Sequence, residues 1–90
     1  MDFEWDPRKA AQNERKHRVS FEEAATVFGD PLALTFADPD HSDEEHRFLT
    51  FGRSRRHWLL VVSYTDRNGT TRIISARRLT PAERRIYEAG

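Results

Sequence analysis

The sequence predicts a small α+β protein in which a twisted, largely antiparallel sheet has helices packed on one face. Two early segments carry N-cap signals before residues at helical spacing. Four later segments alternate or run apolar as strands do, and an Asn-Gly turn joins the last two as a hairpin. A final capping pattern starts one more helix. The expected order of elements is β-α-α-β-β-β-β-α.

The chain should begin with a short strand and a polar helix. DFEW, residues 2–5, alternates acidic and apolar side chains, and we place this strand at an edge of the sheet. Asp6 suits the N-cap position and Pro7 the first helical position. The helix that they start should run to about Lys16.

The second helix and the next strands follow from capping and alternation. Ser20 and Glu23 form a capping-box pattern before FEEAATVF, and the Gly-Asp-Pro of residues 29–31 should end that helix. Alternating or continuous apolar residues then predict four strands. Their sequences are LALTFA, HRFLTFG, HWLLVVSYT and TRIISAR, at residues 32–37, 46–52, 57–65 and 71–77.

The end of the chain should form a short helix. Thr80 is a suitable N-cap, Pro81 suits the first helical position, and Glu83 completes a capping box. The helix should cover PAERRIYEA, residues 81–89.

The composition is that of a single domain spanning residues 1–90. Hydrophobic residues make up 37% of the chain and charged residues 33%, enough for one core of modest size. Without cysteine, the chain has neither a disulfide framework nor a thiolate metal site. The apolar runs are too short to span a bilayer, and the acidic N-terminus lacks the basic start of a signal peptide. We therefore expect a cytoplasmic protein without a cofactor.

The net charge of zero hides a strong polarity along the chain. Residues 1–45 contain five Lys and Arg against 12 Asp and Glu, whereas residues 46–90 contain ten against three. All ten cations in the second half are arginine, which binds phosphate or carboxylate with two donors at once. The halves should partly pair with each other, but the basic half also indicates an anionic ligand or an acidic partner.

Alternation along the strands should bring polar residues onto one face of the sheet. Ile73, Ser75 and Arg77 should share a face, and so should Glu45 and Arg47. One face is then apolar beneath the helices, while the other mixes arginine with serine, glutamate and aromatic residues.

Several segments, taken in order, resemble one known family. They are FEWD, KH followed by VSFEEA and VF, HSDEEHRF with the FG that ends its strand, and RIISAR with ER and Y behind it. Over nearly the whole chain they resemble BrnT, the toxins of BrnT/BrnA type II toxin–antitoxin modules. The resemblance implies a RelE-like fold, endoribonuclease activity that arrests translation, and neutralisation by a BrnA-like antitoxin. It also implies a two-to-two complex in which the antitoxin alone contacts operator DNA.

One position departs from the family pattern. Arg18 stands where the family leads us to expect glycine, in KHRVSF rather than KHGVSF. If this position needs a left-handed backbone, Arg18 is mildly strained there.

Arginines are the candidates for binding the RNA phosphate. Metal-independent cleavage needs cations around the phosphorane, and we assign this role to Arg47, Arg72 and Arg77, with Arg77 foremost because it lies in the family's ISAR motif. Ser75 is a further RNA-binding candidate. The alternative for Arg77 is a structural ion pair with Glu83.

Proton transfer and base stacking need other side chains. Glu45 is the candidate base, and either Lys16 or His17 the acid that protonates the leaving oxygen. Tyr64 or Trp58 could stack on a base of single-stranded RNA, although the apolar neighbours of Trp58 favour a place in the core. The histidines at other positions have no spacing typical of a metal site, and we expect none.

Two other classes of function stay open at this point. One is a non-catalytic RNA- or protein-binding module of the same fold, because the sequence contains no decisive acid–base pair. The other is an interaction protein without RNA contact, in which the charge polarity serves a partner interface.

Overall fold

The structure is a computed structural model, which describes residues 1–39 and 46–90. The predicted order of elements is confirmed, with a 3-10 helix directly after the second α-helix. The strands are β1 (Asp2–Glu4), β2 (Leu34–Ala37), β3 (Arg47–Arg53), β4 (Leu59–Arg67) and β5 (Thr70–Arg78). The helices are α1 (Pro7–His17), α2 (Phe21–Ala25), the 3-10 helix (Thr26–Gly29) and α3 (Pro81–Ala89).

The caps inferred from the sequence start all three α-helices. The side chain of Asp6 accepts from the N–H of Arg8, and Ser20 accepts from Glu23. Before α3 both halves of a capping box are present, between Thr80 and Glu83. Each cap satisfies N–H groups that the first turn of a helix leaves without partners.

The five strands form one sheet in the order β1-β5-β4-β3-β2. β1 is an edge strand, as predicted, and runs parallel to β5, whereas all other neighbouring strands are antiparallel. β1 covers only the start of β5, from Thr70 to Arg72. Among the described residues, no strand pairs with the rest of β5 on that side.

The main core lies between the sheet and the helices α1 and α2. Leu60 and Val62 of β4 point into this core and are fully buried, together with Phe21 of α2. Trp58 and Tyr64, which alternation places on the same face of β4, pack against the same core. The expected apolar face beneath the helices is therefore confirmed.

The third helix packs on the opposite face, which differs from the prediction that all helices share one face. Tyr87 of α3 is buried against Phe51 and Val61, and its hydroxyl donates to Asp30 Oδ2 at 2.7 Å. The reason lies in β4, whose continuous apolar run gives it two apolar faces. Helices α1 and α2 bury Leu60 on one face of the sheet, and α3 buries Val61 on the other.

A bulge in β5 changes which residues share a face. Ser63 of β4 is opposite Ser75, but the next residue, Tyr64, is opposite Ile73, so that Ile74 is an extra residue. Ile73 consequently points into the main core, while Ser75 and Arg77 point away from it. The prediction that Ile73, Ser75 and Arg77 share one face is wrong, because strict alternation fails at the bulge.

No helix among the described residues is long and apolar enough to cross a bilayer.

Candidate active site

An open groove of about 430 Å³ lies where the end of α1 meets the uncovered part of the sheet. It brings together five of the side chains singled out in the sequence, which are Lys16, His17, Arg47, Ser75 and Arg77. The remaining lining residues are Asp38, Leu49, Val61, Ser63 and Ile74. The groove thus combines three cationic side chains and an imidazole with two hydroxyls and a carboxylate.

Asn13 fixes the end of α1 beside β5. Its side-chain amide donates to the backbone oxygen of Ala76 at 2.9 Å, and its side-chain oxygen accepts from the N–H of Ala76 at 3.0 Å. The same amide also donates to the oxygen of Val19 at 2.9 Å. Asn13 therefore replaces the missing neighbour strand along this part of β5, and it holds Lys16 and His17 at the groove.

The importance of Asn13 was not predicted. It lies on a helix whose sequence is polar nearly all round, so nothing in the spacing distinguishes it from exposed neighbours. In the structure only 6% of its surface is exposed. A buried amide needs its hydrogen bonds satisfied, which explains why it binds three backbone groups at once.

Arg18 ends α1 in the left-handed region, with φ 60° and ψ 30°. Its backbone N–H donates to the oxygen of Glu14 at 2.9 Å, which closes the last turn. The strain expected for a non-glycine residue at this position is therefore present.

Arg77 is oriented by a two-point ion pair with Glu83 of α3. Its two terminal nitrogens lie 2.8 and 2.9 Å from the two carboxylate oxygens, and one of them also donates to the oxygen of Arg78 at 3.1 Å. The hydrogen bonds from Arg77 lower the pKa of Glu83 to about 2, despite the opposing effect of burial. The structural alternative considered for Arg77 is thus present in the molecule.

The ion pair does not withdraw Arg77 from the groove. Its side chain lines the groove and is 42% exposed, whereas that of Glu83 is 20% exposed. Glu83 is itself anchored, because it accepts from the N–H of Thr80 in the capping box. The guanidinium is therefore held in one orientation by a fixed partner while part of it faces the open groove.

Asp38 is a groove residue that the sequence did not single out. It follows β2 and is 7% exposed, and its backbone N–H donates to the oxygen of Arg47 at 2.9 Å. The sequence hid it because it is the first of several acidic residues in one segment, and such segments are usually solvated. Its burial beside cationic side chains is the signal that distinguishes it.

Two other candidates, Arg72 and Tyr64, do not line the groove. Arg72 lies at the start of β5 and pairs with Glu4 at 2.8 Å. Tyr64 is on the helix-covered face, with its ring 4.9 Å from that of Phe28. Its alternation with Leu60 and Val62 explains that position. Glu45, the predicted base, lies outside the described residues.

The geometry of the groove suits an anion that undergoes proton transfer. Guanidinium and ammonium groups converge on it from α1, β3 and β5, and an imidazole and a carboxylate are at its wall. No group of three or more His, Asp or Glu within residues 1–39 and 46–90 is arranged to hold a metal ion.

Comparison with known proteins identifies relatives of this chain. Residues 5–83 match the family model of BrnT, the ribonuclease toxin of type II toxin–antitoxin systems. The fold is similar to the 1.1 Å crystal structure of the Brucella abortus ribonuclease toxin BrnT, with a TM-score of 0.69 and 22% sequence identity. That similarity covers 89% of this chain and 97% of the other. Comparison with curated protein sequences finds no match.

Proposed function

Since the chain belongs to the BrnT family, the ribonuclease toxins of type II toxin–antitoxin systems, we propose that its groove is the site of RNA cleavage. The observation that carries this proposal is the convergence of Arg47 and Arg77 with Lys16 and His17 around one open groove. Cations that bind a phosphate and groups that transfer protons are the two requirements of RNA phosphodiester cleavage.

The proposed reaction is an internal attack within the RNA strand. A base removes the proton of a 2′-hydroxyl, and that oxygen attacks the adjacent phosphorus. The bond from phosphorus to the 5′-oxygen breaks, and the leaving oxygen takes a proton from an acid. The products are a 2′,3′-cyclic phosphate and a free 5′-hydroxyl, which makes the enzyme an endoribonuclease.

Arg47 and Arg77 bind the non-bridging phosphate oxygens in this proposal. Negative charge on those oxygens grows as the phosphorane forms, and donors fixed in advance stabilise it more than donors that must reorient. The ion pair with Glu83 supplies that fixation for Arg77. Positive charge from these side chains is what lets the reaction proceed without a metal ion.

Lys16 and His17 are the candidate acids, because both line the groove at the end of α1. For the base, Glu45 remains the candidate from the sequence, and Asp38 is the carboxylate that lines the described groove. Ser75 is a candidate for a hydrogen bond to the RNA, since it also lines the groove. These roles are separable by substitution, because acid and base variants shift opposite limbs of a bell-shaped pH profile.

The experiment that tests the proposal is RNA cleavage by purified protein in the presence of a chelator. We expect cleavage of single-stranded RNA to 2′,3′-cyclic phosphate ends, with a large loss in Arg47→Ala. His46→Ala is the matched control, because His46 is the exposed residue immediately before Arg47 and is not part of the groove. Cleavage that requires added metal would overturn the metal-independent mechanism.

A toxin of this class has an antitoxin partner, and we propose that the partner covers the groove. An acidic or amphipathic segment of a BrnA-like antitoxin would bind the basic residues that otherwise bind RNA. The complex would contain two copies of each protein, and operator DNA would be contacted by the antitoxin. Protection of Lys16 from acetylation in the complex would support this, and unchanged labelling would contradict it.

A further inference from the structure

A second basic surface lies at the end of the sheet where β3 turns into β4. The turn is RSRRHW, residues 53–58, and β5 and α3 add one arginine each beside it. We call this the arginine surface and define it as Arg53, Arg55, Arg56, His57, Arg78 and Arg84. None of these residues lines the groove that contains Arg77.

The backbone of the turn is fixed from below by side chains of the segment after Ser20. Three backbone N–H groups of the turn donate to these side chains. The N–H of Arg53 donates to Asp30 Oδ2 at 2.8 Å, and that of Arg55 donates to Thr26 Oγ1 at 2.8 Å. The N–H of Arg56 donates to Glu23 Oε2 at 2.9 Å. Within the turn, the N–H of Ser54 donates to the oxygen of Trp58 at 2.8 Å. The arginine side chains therefore start from a rigid base, which lowers the entropy lost when they bind a ligand.

His57 adds evidence that this turn is held in one conformation. Its φ is 67°, a left-handed backbone that a non-glycine residue rarely adopts. Its N–H donates to the oxygen of Ser54 at 2.8 Å. Such a strained residue persists where surrounding contacts determine the backbone, and these positions are frequent at functional sites.

Trp58 positions two of the guanidinium groups. The Cζ atom of Arg78 lies 4.3 Å from the centre of the Trp58 ring, and that of Arg56 lies 5.4 Å from it. The indole also packs against the main core, so the ring itself has a fixed position. Two cations that repel each other are thus kept near one aromatic ring.

The charges of the arginine surface are only partly balanced. Arg56 lies 3.8 Å from Glu23, and Arg84 lies 3.4 Å from Glu88. Arg53 and Arg55 interact electrostatically at longer range with Asp30 and Glu23, respectively. Within the part of the chain that the structure describes, neither Arg55 nor Arg78 forms a direct ion pair. A rigid surface that holds unpaired like charges together is suited to an anion that neutralises several of them at once.

The low content of exposed apolar residues in the arginine surface indicates which kind of anion it binds. A protein interface has apolar residues at its centre, whereas a nucleic-acid interface is polar and strongly positive. The apolar residues beside its arginines, Trp58, Leu59 and Leu79, are half-buried. The exposed large apolar residues of the described chain, which are Met1, Leu32, Phe36 and Ile86, do not line this pocket. The arginine surface therefore has the composition of a nucleic-acid interface.

We propose that the arginine surface is a second RNA-binding site, which binds the phosphates of single-stranded RNA outside the cleavage groove. The two sites are adjacent along β5, where Arg77 lines the groove and the next residue, Arg78, contacts Trp58 on the opposite face of the sheet. One RNA strand that crosses the end of β5 would occupy both. Occupancy of both sites by one RNA strand rests on the proposal that the groove is the cleavage site. Phosphate binding by the arginine surface is independent of that proposal.

The test compares two sets of neutral substitutions in the full-length protein. One variant carries Arg55→Gln, Arg56→Gln and Arg78→Gln. The matched control carries Arg8→Gln, Lys9→Gln and Arg85→Gln, which removes the same charge from exposed helix positions. The probe is a fluorescent RNA of roughly 16 nucleotides with 2′-O-methyl groups, so that it binds without being cleaved.

We expect the surface variant to bind this RNA about 10- to 100-fold more weakly at ~0.1 M salt. The slope of log affinity against log salt concentration should become shallower by roughly 2, because each lost phosphate contact contributes about 0.7. The control should show a smaller loss. Cleavage of an unmodified RNA of about four nucleotides, which fits the groove alone, should be unchanged. Arg55→Gln alone should weaken binding about fivefold, and it serves as the test if the triple variant does not fold.

Unchanged affinity for the long RNA in a folded surface variant would overturn the proposal. The same result with weaker binding of the antitoxin would assign the surface to a protein partner instead. Because the probe is not cleaved, its binding is independent of whether the groove is the catalytic site. A failure of the cleavage proposal would appear in Arg47→Ala and not in this measurement.

Discussion

Arg72 and Arg77 lie on the same strand and each is paired with a glutamate, but their surroundings differ. Arg72 pairs with Glu4 of the edge strand, where the glutamate side chain is 42% exposed. Arg77 pairs through two nitrogens with Glu83, which is 20% exposed and anchored in a capping box. Arg77 lines the groove and Arg72 does not. An ion pair alone therefore does not separate a structural arginine from a functional one.

Arg77 differs from Arg72 because it lies at the open groove and because its partner, Glu83, is anchored in a capping box. At the Arg72 end, β1 covers the strand edge and leaves a surface ion pair. At the Arg77 end, the strand edge is bound by Asn13, and the face of the sheet is open beside α1. The fold therefore places one arginine of β5 in an ion pair at the sheet edge and the other at the open groove.

The largest expected effect separates the two arginines directly. Arg77→Ala should lower the single-turnover rate of RNA cleavage by roughly 100- to 1,000-fold, the loss typical of removing one donor from a charge-stabilising site. Arg72→Ala should change that rate less than about threefold, since its ion pair is at the surface. Equal losses in the two variants would show that a position at the groove does not distinguish Arg77 from Arg72 in RNA cleavage.

The next effect tests how the groove end of β5 is built. Asn13→Ala leaves backbone groups of Ala76 and Val19 without partners, and we expect the free energy of unfolding to fall by about 2–3 kcal/mol. Gln12→Ala, at the exposed neighbouring position, should change it by less than about 0.5 kcal/mol. Urea denaturation measures both. An Asn13 variant as stable as the control would contradict the role of its side chain at the strand edge.

A third prediction compares the two glutamates through pH. The folded-state pKa of Glu83 is about 2, below its ordinary value of 4.5, mainly because of the hydrogen bonds from Arg77. Its stabilisation is therefore fully present above pH 4.5 and is lost as pH falls towards 2. After allowance for the partial exposure of Arg77, Glu83→Gln should cost about 1–2 kcal/mol at neutral pH.

Glu4→Gln is the matched control for this substitution, since Glu4 is the more exposed of the two carboxylates. It should cost less than about 1 kcal/mol at neutral pH. Thermal unfolding between pH 7 and pH 2 gives both curves. A difference between Glu83→Gln and the parent protein that stays constant down to the lowest pH would contradict the assigned pKa.

The smallest effect concerns the end of α1. Arg18→Gly should raise the free energy of unfolding by about 0.5 kcal/mol, because relief of the left-handed strain exceeds the added freedom of the unfolded chain. Arg18→Ala keeps the Cβ atom and should not stabilise, which separates the backbone effect from the charge. Stabilisation by alanine as large as by glycine would assign the effect to charge.

Local signals in the sequence were sufficient for the order of elements. N-caps, the Asn-Gly turn and apolar alternation are all read within a few residues, and each predicted element is present. The extra residue Ile74 was not predictable, because a bulge depends on pairing with a neighbouring strand. The position of α3 on the second face depended on long-range packing in the same way.

The groove was predicted in part. Resemblance and residue type led to Lys16 and Arg77, and the structure brings both to one site. Tyr64 was chosen as a stacking residue, but a tyrosine on the buried face of β4 has the same sequence pattern as an exposed one. Asp38 was not predicted, because the sequence of an acidic segment does not show which of its residues is buried.

The central claim is that a ribonuclease toxin of this family cleaves RNA at the Arg77 end of β5. The most direct measurement is inducible expression of the parent, Arg77→Ala and Arg72→Ala without antitoxin, following growth and RNA integrity. We expect growth arrest and RNA degradation with the parent and Arg72→Ala, and neither with soluble Arg77→Ala. Growth arrest with RNA degradation in Arg77→Ala would contradict the claim.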